Sequence, residues 1–372
     1  MRIAFIGQKT IGIKGERTGG IEKHVEELST RLQARDHEVF VYARSRYHKD
    51  RPKEYNGVRI IFIPTIYRKN LEAIVHTFLS TLHAWFMPYD IVHYHGVGPS
   101  TVAFFLRVIK PKTRVITTFH SQDRFHQKWS WLGRLYLHYG EIAACWFPHV
   151  CIAVSHVIQV YCRRSYRRQV VYVPNGAEVQ KVKSSRELEQ FGLEPNKYIL
   201  NVGRVVRHKG LHYLIDAYQK LKTEKKLVIV GGAAQGGEEY FEALKKKVAG
   251  DKNIMFLGYQ SGETLKQLFA NAYLYCQPSE SEGLAVVVLE AMSYGTPVLV
   301  SDIPENLEAM HHAGFSFKNK NIKDLSEKLQ YTLRHPQEVE KSSVKSVEAI
   351  QTFFNWDLIS DRVEEVYRSV RH

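Results

Sequence analysis

The sequence predicts an α/β protein of two doubly wound, Rossmann-like domains facing a central cleft, and three observations predict it. Short β-branched runs alternate with helical patterns from end to end, the rhythm of parallel sheets built from βαβ units. That rhythm breaks once, at a polar stretch after Asn175-Gly176, and then restarts. At 372 residues the chain is too long for one ordinary core and suits two of middling size.

The elements follow in order. RIAFIG, from Arg2, is a strand that enters a glycine-rich loop. GIEKHVEELSTRL, from Gly20, repeats Ile21, Val25, Leu28 and Leu32 at helical spacing. HEVFVYA, VRIIFIP, DIVHYHG, RVITTFH, VCIAVS and VVYVPNG read as further strands, several separated by helix-length segments. VQKVKSSRELEQFGLEPNK is polar and without a buried run, so a boundary falls within residues 176–197 and divides the chain into domains 1–180 and 181–354. YILNVG, KLVIVGG, NIMFLG, YLYCQ and PVLVSD restart the pattern. From about Asn321 the tail is helical. Trp356, Ile359, Val363, Val366 and Val370 form one apolar stripe, and a final helix of about 355–372 is expected to pack back on the first domain.

Composition excludes some classes. With 44% apolar and 24% charged residues the chain is globular, not disordered. A formal net charge of +14 calls for an anionic partner: nucleotide phosphates, nucleic acid or an acidic membrane surface. Cys145, Cys151, Cys162 and Cys276 lie far apart without C-x-x-C spacing and read as buried thiols. MRIAFIGQ reads as a first core strand instead of a signal peptide. Between Glu141 and Arg163 no side chain is charged, yet Pro148, His149, Ser155, His156 and Gln159 divide the stretch into helix end, strand and helix start. A cytoplasmic protein, reaching at most the inner face of a membrane, is expected.

Ligands of doubly wound sheets bind outside the carboxyl ends of strands, so the loops there hold the candidate chemistry. In PSESEGLAVVVLEAMSYGTPVLVSD, from Pro278, seven residues separate Glu282 from Glu290. A helix beginning near Leu284 and ending at Gly295 would seat a phosphate on its N-terminal amides. Eight helical residues rise about 12 Å, comparable with the reach from a sugar across a diphosphate to a ribose. The two carboxylates fit sugar and ribose hydroxyls; as an isolated pair they fit a first-turn dipole partner and a solvated helix residue better. In NVGRVVRHKGLHYLIDAY a strand ends at Gly203, and Arg204 and Lys209 precede a helix start at about Gly210. Two cations at that position favour an anion between them, such as the diphosphate of a leaving group, although a solvated basic loop has the same pattern. Gly19 and Gly20 ahead of the first helix suit close backbone approach or a surface loop. His95 and His120 end consecutive strands, with Asp123 and Arg124 after the second. A strand-end histidine fits either a ligand contact or a structural bond. His93, His95 and His120 together allow a zinc reading, without supporting cysteine or carboxylate spacing.

The segment from Pro278 resembles the E-x7-E signature of retaining glycosyltransferases of family 4, which have the GT-B fold. Gly203 to Gly210 match that family's G-R-x4-K-G pattern; Gly19, Gly20, Glu22, His24 and Val25 match GG-x-E-x-H-V; and His120 ends a Thr-x-His. The resemblance covers nearly the whole chain. It implies that Glu282 faces the donor sugar and Glu290 the ribose. It also implies that backbone amides of Gly283, Leu284, Ala285, Val286 and Val287 line sugar and diphosphate, with Gly203 beside them, and that Arg204 and Lys209 contact the diphosphate. Gly20 would face the reaction centre from the acceptor domain, with Gly19 next to it. His120 would help hold the donor hexose, while His24 would serve packing or support. His95, Asp123 and Arg124 are placed on the acceptor side, and Tyr259 at the border of the base pocket. Where the family shows Gly-Phe-Gly this chain has Gly283-Leu284-Ala285, which keeps the backbone role and leaves the sugar preference open.

The expected reaction is transfer of a hexose, with retention and by a front-face route, from a nucleotide-diphosphate sugar (UDP first, GDP next) to a glycan or lipid-linked acceptor. No Asp-x-Asp occurs to hold a divalent cation, so no metal and no cofactor is expected. Arg44, Arg46, Lys49, Arg51 and Lys53 form one basic cluster, and Arg163, Arg164, Arg167 and Arg168 another. Trp129, Trp131, Tyr136 and Tyr139 add aromatic groups to cations. These fit an anionic membrane interface or a solvated basic face. Nucleic acid is not an expected partner, because no recognised binding module appears. Two alternatives stand beside transfer: a nucleotide-sugar epimerase of similar build, and a non-catalytic basic protein that binds membrane or nucleic acid.

Overall fold

The computed structural model describes residues 1–12, 19–48, 50–68, 71–125, 129–233 and 237–371. It divides into two compact units: unit 1 is Met1–Asn175 with Trp356–His372, and unit 2 is Gly176–Asn355.

Unit 1 opens with β1 (Arg2–Ile6), α1 (Gly20–Gln33), β2 (Glu38–Arg44), β3 (Glu54–Tyr55) and β4 (Val58–Ile63). It continues through α2 (Glu72–Phe86), β5 (Ile91–His95), α3 (Val97–Ser100), α4 (Ala103–Ile109) and β6 (Arg114–Phe119). α5 (Trp131–Trp146), β7 (Val150–Ala153), α6 (His156–Tyr166) and β8 (Val171–Tyr172) complete the order. The strands lie as β3-β4-β2-β1-β5-β6-β7-β8, parallel except for β3, which pairs antiparallel with β4.

Unit 2 runs β9 (Tyr198–Val202), α7 (Leu211–Tyr218), β10 (Lys226–Val230), α8 (Glu238–Lys247), β11 (Ile254–Gly258), α9 (Gly262–Ala270) and β12 (Leu274–Gln277). Then follow α10 (Val286–Ser293), β13 (Val298–Ser301), α11 (Pro304–Met310), β14 (Phe315–Phe317), α12 (Ile322–Arg334) and α13 (Pro336–Phe353). Its sheet, β11-β10-β9-β12-β13-β14, is parallel throughout. The chain then returns to unit 1 as α14 (Trp356–Ser369).

Strand alternation explains the layers of unit 1. Ile3 and Phe5 of β1 join Val25, Leu28 and Leu32 of α1 and Ile359, Val363 and Val366 of α14 in one core. Ala4 and Ile6 point the other way, into a second core with Ala84 of α2 and Ala103 and Leu106 of α4. Trp356, 2% exposed, heads the stripe that fastens α14. In unit 2, β9, β10 and β12 share one core with α7 and α12.

Some details differ from the sequence reading. Unit 2 begins at Gly176 instead of 181, because Ala177 bridges Asn355 and its N–H donates to the Phe354 carbonyl at 2.8 Å. β3 and β14, two and three residues long, are too short to show a period. VVYVPNG contributes only Val171–Tyr172, at the sheet edge. The uncharged stretch after Glu141 is the end of α5, then β7 and the start of α6. Among the described residues no helix is long and apolar enough to cross a membrane. All four cysteines are buried free thiols.

Each sheet has one point where the strand order reverses. In unit 1, β1 lies between β2 and β5; in unit 2, β9 lies between β10 and β12. Those are the crevices where doubly wound sheets receive ligands.

Candidate functional site

In unit 2 the loops after β9 and β12 meet. Gly210 adopts φ +70°, and a Cβ there would stand 1.9 Å from the Pro278 carbonyl oxygen, so only glycine lets α7 start against the β12 loop. The Glu280 N–H donates to the His208 carbonyl at 2.8 Å, closing the same contact. On this frame Lys209 Nζ donates to Glu282 Oε1 at 2.5 Å, and Gln277 Nε2 donates to the same oxygen at 2.8 Å. Tyr275 donates in turn to Gln277 Oε1, and Gln277 Nε2 also reaches Ser279 Oγ at 2.8 Å. Burial pushes the Glu282 carboxyl up, but the Lys209 ammonium, with Ser279 and Gln277, outweighs burial and holds it below the usual range. Glu282 is therefore an oriented carboxylate.

This pair revises the reading of two cations waiting for an anion: the anion beside Lys209 is Glu282. Arg204 is the second cation of the motif, with Arg207 between the two in sequence. Arg204 is exposed, and among the described residues its guanidinium makes no ion pair. The helix expected from Leu284 starts at Val286, with Ala285 as its N-cap. Val286 N–H donates to the Leu284 carbonyl at 2.8 Å, so a tight turn carries the chain from Gly283 into α10. Glu282 and Glu290 are thus joined by that turn and little more than one helical turn, not by eight helical residues. Leu284 and Ala285 are buried; Gly283, Val286, Val287 and Glu290 are partly exposed.

In unit 1 the reversal point holds histidines. Gly7, at φ +125°, would place a Cβ 2.5 Å from the His95 carbonyl oxygen, which fixes how closely β1 and β5 end. His95 Nδ1 and His120 Nε2 share a hydrogen bond at 3.0 Å. The His24 ring lies edge-on to His120 at 4.9 Å and bonds Asn175 Oδ1 through Nδ1 at 2.7 Å. Burial lowers His24 to about 4, Asn175 opposing, and drives His95 and His120 well below the usual value. The three rings are neutral hydrogen-bonding groups at pH 7. Around Gly19 the backbone is fixed by Glu22, whose carboxylate accepts the N–H of Gly19 at 3.0 Å and of Lys9 at 3.1 Å; Gly20 opens α1.

One ring nitrogen from each of His24, His95 and His120 falls within 4.8 Å of the others, a spacing that would suit a transition metal. The trio differs from the one read in the sequence. His93 is excluded because both of its nitrogens are bonded, to Tyr367 Oη and Thr118 Oγ1, each at 2.7 Å.

Comparison with known proteins follows the same division. The family model "Glycosyltransferase Family 4" matches residues 18–181, and the model "Glycosyl transferases group 1" matches residues 184–348. The phosphatidyl-myo-inositol mannosyltransferase of Mycobacterium leprae is 26% identical over 100% of this chain and 97% of its own. The chain is a GT-B glycosyltransferase of the family 4 type. Other relatives agree. The gpi3 subunit of the Schizosaccharomyces pombe phosphatidylinositol N-acetylglucosaminyltransferase is 24% identical over 95% of this glycosyltransferase and 78% of that protein. An uncharacterized glycosyltransferase of Methanocaldococcus jannaschii is 38% identical, over only 32% of this chain and 30% of its own. Among solved structures, sucrose-phosphate synthase from Thermosynechococcus elongatus superposes with TM-score 0.83 at 21% identity, covering 100% of this chain and 99% of that one. Anabaena HepE in complex with UDP-glucose gives 0.80 at 20%, covering 99% and 100%.

Several expected site residues of the glycosyltransferase sit elsewhere or do other things. His95, expected on the acceptor, is 1% exposed and holds His120 instead. Arg124 is engaged by its own fold: it pairs with the fully buried Glu141 at 3.1 Å and donates to Tyr161 Oη at 2.8 Å. Asp123 accepts from Ser121 Oγ at 2.7 Å in the turn after β6. Tyr259 stands exposed just beyond β11, at the sheet edge. Of the basic cluster, Arg44 is buried against Glu72 and the Gly7 carbonyl, and Lys49 lies outside the described residues. Tyr136 bonds Thr101 Oγ1 at 3.0 Å. Gln277, Ser279 and Asn175 were legible only as polar residues at or after strand ends; nothing in their spacing marks them as the groups that orient Glu282 and His24.

Proposed function

We propose that the glycosyltransferase moves a hexose from a nucleotide-diphosphate sugar to a glycan or lipid-linked acceptor with retention, needing no metal and no other cofactor. The observation that carries this reading is the Lys209–Glu282 pair, oriented by Gln277 where the unit 2 sheet reverses. In this reading a donor diphosphate lies along Arg204, Lys209 and the turn from Gly203 and from Gly283 through Val287. Glu282 accepts hexose hydroxyls and Glu290 accepts ribose hydroxyls. His120, with the Gly19–Gly20 backbone, supplies neutral groups to the sugar, and Tyr259 borders the base. The support is chemical: a carboxylate held ionised accepts hydroxyl hydrogen bonds well, and cations beside it stabilise a departing diphosphate.

The chemistry balances without an external base. The bond from the anomeric carbon to the phosphate oxygen breaks, the acceptor oxygen bonds that carbon on the same face, and the acceptor proton passes to the departing phosphate oxygen. Glu282 accepts hydroxyls and is not the nucleophile that a double displacement would need. UDP-sugars are the first donors to try, GDP-sugars next; HepE, which shares the fold, is described in complex with UDP-glucose. The phosphoinositide glycosylation named for two of the relatives supports a lipid-linked acceptor, with the enzyme at the inner face of a membrane.

Thermal stabilisation across UDP-, GDP- and ADP-sugars is the test, followed by transfer with and without EDTA. One nucleotide series should raise Tm by several degrees, and activity should survive chelation. No stabilisation by any of the three would remove the donor reading. Loss of activity in EDTA, restored by zinc or cobalt, would move the reaction to the histidine trio.

A further inference from the structure

Helix α2 is built inside out. Its buried face carries His76, Thr77, Ser80, Thr81 and Ala84, while Phe78, Leu82, Trp85 and Phe86 face outward. A surface helix of a soluble domain normally shows the reverse. Two of the inward hydroxyls are satisfied: Thr77 bonds the Ala73 carbonyl at 2.7 Å, and Thr81 bonds the Thr77 carbonyl at 2.8 Å and Tyr94 Oη at 2.9 Å, while Ser80 Oγ is buried without a hydrogen-bond partner among the described residues. The outward apolar stripe is therefore not an accident of a frayed helix.

The neighbouring helices repeat it. α4 buries Ala103 and Leu106 and exposes Phe104, Phe105, Val108 and Ile109. α5 exposes Trp131, Leu132, Leu135 and Tyr139 at helical spacing, Trp131 at 73%. The three stripes adjoin. Lys110 Nζ donates to the Trp85 carbonyl at 3.0 Å, joining α2 to α4, and the Phe147 ring lies 5.2 Å from Phe104 and 6.3 Å from Tyr139, joining α4 to α5. Continuous apolar surface of this kind marks a docking site.

Charge chooses the partner. Arg107 and Arg134 stand exposed on α4 and α5, Lys112 just after α4, and the Arg168 guanidinium lies 4.9 Å from the Trp146 ring centroid. Between residues 71 and 150 the carboxylates are Glu72, Asp90, Asp123 and Glu141. None is on the outward stripes: Glu72 pairs with Arg44, Glu141 is fully buried, Asp90 sits in a loop and Asp123 opens a short 3-10 turn after β6. A second copy of this chain would set arginine against arginine across a twofold axis. A bilayer with anionic lipids answers both features, since its acyl boundary takes aromatic side chains of any outline and its headgroups take the cations. We infer that the outer face of α2, α4 and α5 docks unit 1 on an anionic lipid bilayer. The inference rests on unit 1 alone and is independent of the donor reading.

The test is co-sedimentation of the full chain with vesicles of phosphatidylcholine alone and of phosphatidylcholine with phosphatidylglycerol in equal parts. Binding to the anionic vesicles should exceed binding to the neutral ones by at least tenfold. A Leu82→Ser, Trp85→Ser, Phe86→Ser triple variant should lose at least tenfold with Tm unchanged, because these side chains leave no core cavity. An Arg107→Glu, Arg134→Glu double variant should lose the preference for phosphatidylglycerol, and it keeps the test open if the triple variant fails to fold. The inference is overturned if the natural chain stays in the supernatant with both vesicles, or if the variants sediment as it does. It is also overturned if the chain is a dimer that the apolar substitutions split while vesicle binding persists.

Discussion

The strand ends of unit 1 and unit 2 solve one problem, how to keep polar side chains aimed into a crevice, in opposite ways. Unit 1 uses neutral rings: His95 bonds His120, and His24 bonds Asn175, with burial holding each ring unprotonated. Unit 2 uses opposite charges: Lys209 on Glu282, aimed by Gln277. A neutral cluster tolerates the loss of a member at the cost of one or two hydrogen bonds. A largely desolvated ion pair such as Lys209–Glu282, both side chains partly buried, tolerates it less, because removing one charge strands the other. The contrast suits the proposed division, in which unit 2 would meet a charged diphosphate and unit 1 uncharged hydroxyls.

The largest effect should therefore come from Lys209→Met. Transfer should fall about 10²- to 10³-fold, and the lone Glu282 should cost about 3–5 kcal/mol of unit 2 stability. Steady-state rates and chemical denaturation read the two consequences. His120→Ala should cost less, about tenfold to hundredfold in turnover, as a lost neutral hydrogen bond does. A loss larger than that of Lys209→Met would reverse the comparison. Within unit 2 the sharper question is role. Glu290→Ala should weaken nucleotide affinity about tenfold by calorimetry, whereas Arg204→Ala should lower kcat more than it raises KM for donor. Unchanged kinetics in both would discard the assignment of the loop.

The effect that leaves activity aside is on stability against pH. His24, His93, His95 and His120 all have depressed folded pKa values through burial. The unfolded chain then takes up protons first, below the usual 6.5, while the folded cluster does not until about 4 for His24. Stability of unit 1 should fall as pH drops through that window, by up to about 1.4 kcal/mol per pH unit for each ring. The Lys209–Glu282 contribution runs on another range: Glu282 is depressed, so its share is present above the usual carboxylate pKa and is lost only as pH falls further. All five tryptophans (Trp85, Trp129, Trp131, Trp146 and Trp356) belong to unit 1, so tryptophan fluorescence reports that unit alone. Its melting midpoint should drop by roughly 5 °C or more between pH 7 and 5.5. A flat midpoint would mean the rings are not held neutral.

What the sequence made legible divides along the same line. Strands buried on both faces write themselves as continuous apolar runs, so Ile199–Val202 or Ile91–Tyr94 were plain, while β3 and β14 carry too few residues to show any period. Lys209, Glu282 and Glu290 were legible through the two family motifs that hold them, because their charges alone also fitted a solvated basic loop and a solvated helix. The partnership of Lys209 with Glu282 was not legible, since it depends on Gly210 fitting against Pro278 across 68 positions of chain. His24 was undervalued for the same reason: its partners, Asn175, His95 and His120, are set by the sheet order and not by local pattern. The inverted face of α2 was missed because an apolar helical stripe reads as core from sequence, and only burial shows which side it faces.

Hydrogen exchange of the whole enzyme with and without saturating UDP or GDP tests the central claim most directly. Slowed exchange is expected in residues 203–211 and 279–290. Protection confined to the basic depression of Lys197, Lys222, Lys225 and Arg334 at the opposite strand ends of unit 2 would contradict it.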